Sequence, residues 1–138
     1  MTEPATPALD GQVTFLYADD PDATWPFYEE VLRLPLALDQ GLCRIYRTGP
    51  SSYLGVCGVR PGRQSNPAGV VVSLLTADVD GWHKRLQAAA IVIEGPPVLH
   101  RTFNVYGFFF RDPNGYLLEF QEFRDTAWPG NTAGDQRS

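Results

Sequence analysis

Polar and apolar positions alternate in "GQVTFLYADD", which predicts a strand from about Gln12 to Ala18. In "DDPDATWPFYEEVLRL" the apolar residues Phe27, Val31 and Leu32 then recur at helical spacing. Asp20 suits the N-cap and Pro21 the first turn, whereas Pro26 does not suit a helix interior. The expectation is a loose first turn followed by a regular helix from about Thr24 to Leu32. "LPLALDQ", "LCRIYRT" and "SYLGVCGV" read as three short strands separated by Gly, Pro and Ser. "VRPGRQSNPAG" is a connector, and the order then repeats. "VVVSLLTA" is a strand, and "DVDGWHKRLQAAA" is a helix capped by Asp78, with Trp82, Leu86 and Ala89 on one face. "IVIEGPPV", "YGFFFRD" and "YLLEFQEF" are three further strands.

The same element order in two halves of similar length is an internal duplication. It divides the chain into a βαβββ module over 11–58, a linker over 59–69, a second module over 70–123, and a mobile tail over 124–138 pinned by Trp128. The expected fold class is α+β. Two tandem modules form a curved mixed sheet around a cleft, with the helices on the outer face.

Strand parity then assigns residues to that cleft. Asp112-Pro113-Asn114-Gly115 is turn chemistry closing a hairpin. Beyond it Leu118 and Phe120 share the helix-packed face, leaving Leu117, Glu119 and Gln121 on the other. In "CRIYR" the apolar Cys43 and Ile45 are placed against the helix, which turns Arg44 and Tyr46 inward. Matching "TGPSSYLGV" to "RDPNGYLLE" adds Leu54 and Val56, and strand parity adds Thr14, Leu16, Val71 and Ser73. The lining is apolar and aromatic with few polar groups, which suits a small organic ligand. Arg44 can grip a carboxylate or enolate oxygen with both arms of its guanidinium, or pair with Glu119 as a neutralised ion pair. Trp25 and Trp82 read as packing residues of amphipathic helices.

Composition narrows the classes. The 138 residues carry 16 acids against 11 bases, a net charge of −5, with Lys84 as the one lysine. Nucleic-acid binding, which needs clustered Lys and Arg, is not expected. No apolar run approaches the ~20 residues of a membrane span, and the first residues lack a signal-peptide pattern. Cys43 and Cys57 lack zinc-motif spacing and read as reduced core thiols of a cytoplasmic protein.

The paired modules, "FYEEVLRLPL" after the first strand and "DPNGYLLEF" near the end together resemble the vicinal oxygen chelate superfamily, which includes glyoxalases, extradiol dioxygenases and bleomycin-resistance proteins. The similarity runs over about residues 11–123. In metal-using members, inward residues at four equivalent strand positions hold a divalent ion; by position these are Gln12, Val56, Val71 and Glu119. Valine has no lone pair to give, so the set is incomplete, with Gln12 and Glu119 left as metal ligands. "VLHRTFNVYGFFFRDPNGYLLE" also resembles the extradiol signature. Val98, His100, Asp112, Pro113, Gly115 and Glu119 fall in register, while Phe109 stands where that signature has a tyrosine. His100 is either a surface-loop residue in register by chance or a cleft residue.

Three functions follow from the resemblance. One is a metal-free binder of a small aromatic or anionic ligand, using Thr14, Arg44, Tyr46, His100, Phe109 and Gln121. The second is a divalent-metal lyase, isomerase or dioxygenase using Glu119 and Gln12. The third is a metal-independent enzyme with Glu119 as catalytic base and Arg44 as its oxyanion partner. No organic cofactor is expected and a divalent metal stays open. The resemblance also implies a homodimer.

Overall fold

The computed structural model describes residues 4–132, and the side chains of residues 4–130. The chain forms two compact units, Met1–Ser65 and Asn66–Ser138. Each carries one four-stranded mixed sheet in a βαβββ order, and the fold is α+β.

In the first unit β1 (Gln12–Ala18) runs parallel to β4 (Ser52–Gly58). β4 pairs antiparallel with β3 (Cys43–Gly49), and β3 with the edge strand β2 (Leu36–Asp39), giving the order β1-β4-β3-β2. Between β1 and β2 lies α1 (Pro21–Pro26), which passes directly into a π-helical segment, Phe27–Val31. The Asp20 carboxylate accepts from the Ala23 N–H at 3.2 Å, and Pro21 opens the helix.

The regular helix expected over Thr24–Leu32 is not what forms. α1 starts three residues earlier, and the Leu32 N–H reaches five residues back to the Phe27 carbonyl at 3.0 Å. Pro26 is the physical reason. It has no N–H to donate and its ring crowds the preceding turn, so the chain beyond it continues with a wider winding. That winding still buries Phe27 and Tyr28.

The second unit repeats the plan with a regular helix. β5 (Val71–Leu75) runs parallel to β8 (Leu117–Phe123); β8 pairs antiparallel with β7 (Val105–Arg111), and β7 with β6 (Ile93–His100). The helix α2 (Val79–Ala88) is capped by Asp78, whose carboxylate accepts from the Gly81 N–H at 3.0 Å. Its Trp82 stacks on Phe120 (4.3 Å between ring centroids) and His83 meets Phe108 edge-on, so Phe108, Phe110, Leu118 and Phe120 form the core under the helix. Beyond β8 the chain has one turn of helix, α3 (Pro129–Thr132), and Trp128 stacks on Phe123 at 4.2 Å. Residues 133–138 of the expected mobile tail lie outside the described residues. Among the described residues no helix is long and apolar enough to cross a membrane.

Cys43 and Cys57 are joined in a disulfide, which corrects the expectation of reduced thiols. The Gly58 N–H donates to the Leu42 carbonyl, so the next pair along the ladder, Cys43 opposite Cys57, is a non-hydrogen-bonded one. Facing residues approach most closely at such positions, and their Cα atoms here are 4.0 Å apart. The two cysteines are 14 positions apart along the chain, so only the hairpin brings them together.

Candidate functional site

The second sheet places its polar chemistry on the face away from α2. Phe108, Phe110, Leu118 and Phe120 point to the helix, so alternation turns Phe109, Leu117, Glu119 and Gln121 to the other side. Glu119 lies between Ser73 on β5 and Phe109 on β7, its register partners on either side. The Gln121 Nε2 donates to Ser73 Oγ at 2.5 Å, and the Ser73 hydroxyl donates on to the Glu119 carboxylate. Gly107, opposite Gln121, makes room for this arrangement: a Cβ there would come within 2.9 Å of the Gln121 Cβ and 2.4 Å of the Phe120 carbonyl oxygen.

The surroundings are mostly apolar. Val71, Leu75 and Val98 are about half exposed on this face, with Leu117 and Phe109 partly buried beside Glu119. Loss of hydration pushes the Glu119 carboxyl above the usual glutamate range. The Ser73 hydroxyl and the charge on His100 pull in the opposite direction without overcoming it. His100 closes β6 opposite Val105, a strand position and not a surface loop. Arg111, on the same face, is held by Glu94 (Nε to Oε1, 3.0 Å) and by the Gly115 carbonyl, and Glu94 was not singled out from the sequence.

In the first unit the face assignment is reversed. Arg44 Nη1 and the Tyr46 hydroxyl both donate to Glu29 Oε2 at 2.7 Å, on the π-helical segment. The Arg44 guanidinium lies 4.2 Å over the Trp25 ring, and Tyr46, fully buried, stacks on Tyr28. Both therefore pack under the helix of their own sheet, and Cys43 and Ile45 take the opposite face. Tyr46 is held strongly protonated by its burial, and next by the bond to the Glu29 carboxylate. Glu29 is desolvated as well, but the bonds from Arg44 and Tyr46 outweigh that and bring its pKa below the usual range.

Thr14, Leu16, Leu54 and Val56 follow Arg44 and Tyr46 to the helix side, since all are register partners across β1, β4 and β3. Gln12 shares that parity, and its side-chain amide donates to Thr14 Oγ1 at 3.3 Å. The cause is a single residue. Leu54 packs under the helix as Leu118 does, and Gly55, between Phe15 and Ile45, holds the position that Glu119 holds in the second sheet. Matching the turns Gly49-Pro50-Ser51-Ser52 and Asp112-Pro113-Asn114-Gly115 put Val56 there instead, because the ladder shifts register between Arg47 and Gly49 and Pro50 falls one place later in its hairpin than Pro113 does. A one-residue slip exchanges the two faces of a strand.

A divalent metal on Glu119 and Gln12 does not fit these residues. Gln12 points to the helix side of its sheet, and Val56 and Val71 have no donor atom. Among the described residues no three His, Cys, Asp or Glu side chains gather as a metal site would require.

The model of the Glyoxalase/Bleomycin resistance protein/Dioxygenase superfamily matches residues 11–120. The chain belongs to this superfamily. The resemblance to the vicinal oxygen chelate proteins read from "DPNGYLLEF" and the duplication thus holds. No curated protein matches the chain. Among solved structures, lactoylglutathione lyase from Agrobacterium tumefaciens is similar with a TM-score of 0.69 and 24% identity, over 89% of this chain and 98% of that one. A glyoxalase/bleomycin resistance protein/dioxygenase from Nocardioides has a TM-score of 0.67 and 21% identity, over 92% and 91%. TioX from Micromonospora sp. ML1 has a TM-score of 0.69 and 24% identity, over 82% and 98%. At these identities the likeness is one of fold, and function in this superfold lies in the site.

Proposed function

We propose that this superfamily member binds a small, largely uncharged aromatic molecule on the open face of its second sheet, without a metal. The observation that carries the reading is Glu119: a partly buried carboxyl with a raised pKa, set among apolar side chains and held by the Ser73–Gln121 chain. A ring lies against Phe109, Leu117 and Val98. A hydrogen-bonding substituent meets Glu119, which can donate when protonated and accept when ionised, and His100 borders the same face. The anionic ligand suggested by Arg44 loses its support on this face, because Arg44 and Tyr46 belong to the Glu29 cluster.

Membership of the superfamily supports two further parts of the reading, small-molecule recognition and a homodimer, the second checked by light scattering on the eluting protein. The cytoplasmic placement rested on free thiols, and the Cys43–Cys57 disulfide removes that ground.

The test is a screen of small aromatic compounds by backbone amide NMR. The expected result is a set of hits that shift Ser73, Phe109, Glu119 and Gln121 together and lose about tenfold in affinity, or 1.4 kcal/mol, in Phe109→Ala. Hits that leave these four resonances in place would overturn the assignment.

A further inference from the structure

The connector after β4 contains a feature that its loop-like composition conceals. Arg60 and Arg63 form an antiparallel bridge, each N–H donating to the other's carbonyl at 3.0 and 2.8 Å. Between them Pro61 and Gly62 make the tight turn, with Gly62 at φ +78° as the third residue of a type II turn requires. Residues directly opposite in such a pair project their side chains to one side. Both arginine side chains therefore leave the turn on one side, where an anion would offset their like charges. The salt bridges among the described residues engage Arg44, Arg111 and Arg124, not these two.

A cavity of about 350 Å³ opens beside the turn, lined by Arg60, Arg63, Gln64, Ser65, Val59 and Asp19. Arg63 Nη1 bonds the Gly62 carbonyl at 2.8 Å, which orients the guanidinium and leaves its other N–H groups to a ligand. Gln64 and Ser65 add neutral donors. Asp19 is the one acid on the wall, and it selects: it repels a bare anion but can accept a hydrogen bond from an anion that keeps a proton or carries a hydroxyl.

We propose that Arg60 and Arg63 form a second, independent binding site, for a phosphate-type oxyanion that retains a hydrogen-bond donor, such as hydrogen phosphate or the phosphate group of a small hydroxylated metabolite. Guanidinium groups match a tetrahedral oxyanion with paired N–H donors, and on a chain of net charge −5 this local pair of cations sets the place where an anion is drawn.

The test is calorimetric titration of the intact chain with inorganic phosphate and, separately, with sulfate, at neutral pH and low salt. Saturable phosphate binding is expected, weaker by roughly tenfold or more in Arg60→Gln and in Arg63→Gln. Arg63→Lys, which keeps the charge but not the fork, should also weaken it. Sulfate, which has no proton to offer Asp19, should bind less tightly, and Asp19→Ala should narrow the gap. All six residues lie at the surface or near it, so circular dichroism is expected to show each variant folded. Absence of saturable binding of either anion, or phosphate affinity unchanged in the double variant Arg60→Gln/Arg63→Gln, would overturn the proposal. Equal affinity for phosphate and sulfate, insensitive to Asp19→Ala, would overturn its selectivity.

Discussion

The Ser73 hydroxyl donates to the Glu119 carboxylate across the parallel pairing of β5 and β8, and accepts in turn from Gln121 at 2.5 Å. One serine thus bonds two polar side chains of the second sheet's open face, Glu119 and Gln121. Its bond favours the ionised carboxylate, while loss of hydration favours the neutral acid, and the second effect prevails.

Ser73→Ala removes the opposing contribution, so the Glu119 pKa is expected to rise further. Carboxyl-carbon NMR of Glu119 through a pH titration reads this directly. An unchanged titration would show that the serine does not set the acid's ionisation. Gln121 loses its acceptor as well, at a cost of about 1 kcal/mol in stability for a partly exposed bond.

Glu119 also makes stability depend on pH in the direction opposite to most carboxylates. Its pKa is higher folded than unfolded, so the native state holds the extra proton between the two values. Stability from this group is full below the ordinary glutamate range, about pH 4.3, and is lost as pH rises through the folded pKa. Glu119→Gln has no such slope. Urea unfolding near pH 4 and near pH 7 should show the variant gaining on the parent at the higher pH. A constant difference between the two would refute the raised pKa.

The Glu29 cluster carries the reverse dependence. Its carboxylate is desolvated, but the Arg44 and Tyr46 bonds lower its pKa. Its contribution is therefore present above the unfolded pKa and is lost as pH falls through the folded one. Tyr46→Phe takes away one donor while keeping the ring on Tyr28, and is expected to cost about 1 kcal/mol, since Glu29 is partly solvated. The loss should shrink in acid, as Glu29 protonates. Chemical denaturation of the two proteins across pH checks both statements.

Reduction of Cys43–Cys57 should lower stability by about 2–4 kcal/mol, the usual range for a cross-link closing a short loop. Thiol counting before and after reductant, with thermal unfolding of both forms, makes the comparison. Free thiols in the native protein, or an unchanged melting temperature, would show the bond absent or without consequence.

Gly107→Ala puts a methyl group against the Phe120 carbonyl oxygen and the Gln121 Cβ. Backbone cannot yield as a flexible side chain can, so a loss of about 1–3 kcal/mol is expected by unfolding titration. The Gln121–Ser73 bond should be displaced with it, visible as shifted Ser73 and Glu119 resonances.

Much of the fold was legible because it depends on local rules. Asp20, Pro21 and Asp78 announce their helices by capping chemistry, Asp112–Gly115 announces its turn, and the duplicated order of strands and helices yields two βαβββ modules. The open face of the second sheet was legible for the same reason: between Phe108 and Phe120 alternation is unbroken, so Phe109, Glu119 and Gln121 could be placed by parity. In the first sheet parity failed. Arg44-Ile45-Tyr46 alternates equally well either way, and burial of Tyr46 is decided by a partner, Glu29, on a segment whose π winding follows from Pro26. The disulfide and the Arg60–Arg63 pair escaped for a related cause, since each exists only once a hairpin sets two residues opposite each other. Local sequence determined which elements form and where they begin. Tertiary structure decided which face of the first sheet meets its helix, because that choice depends on contacts between residues far apart in the chain, and a slip of one residue reverses it.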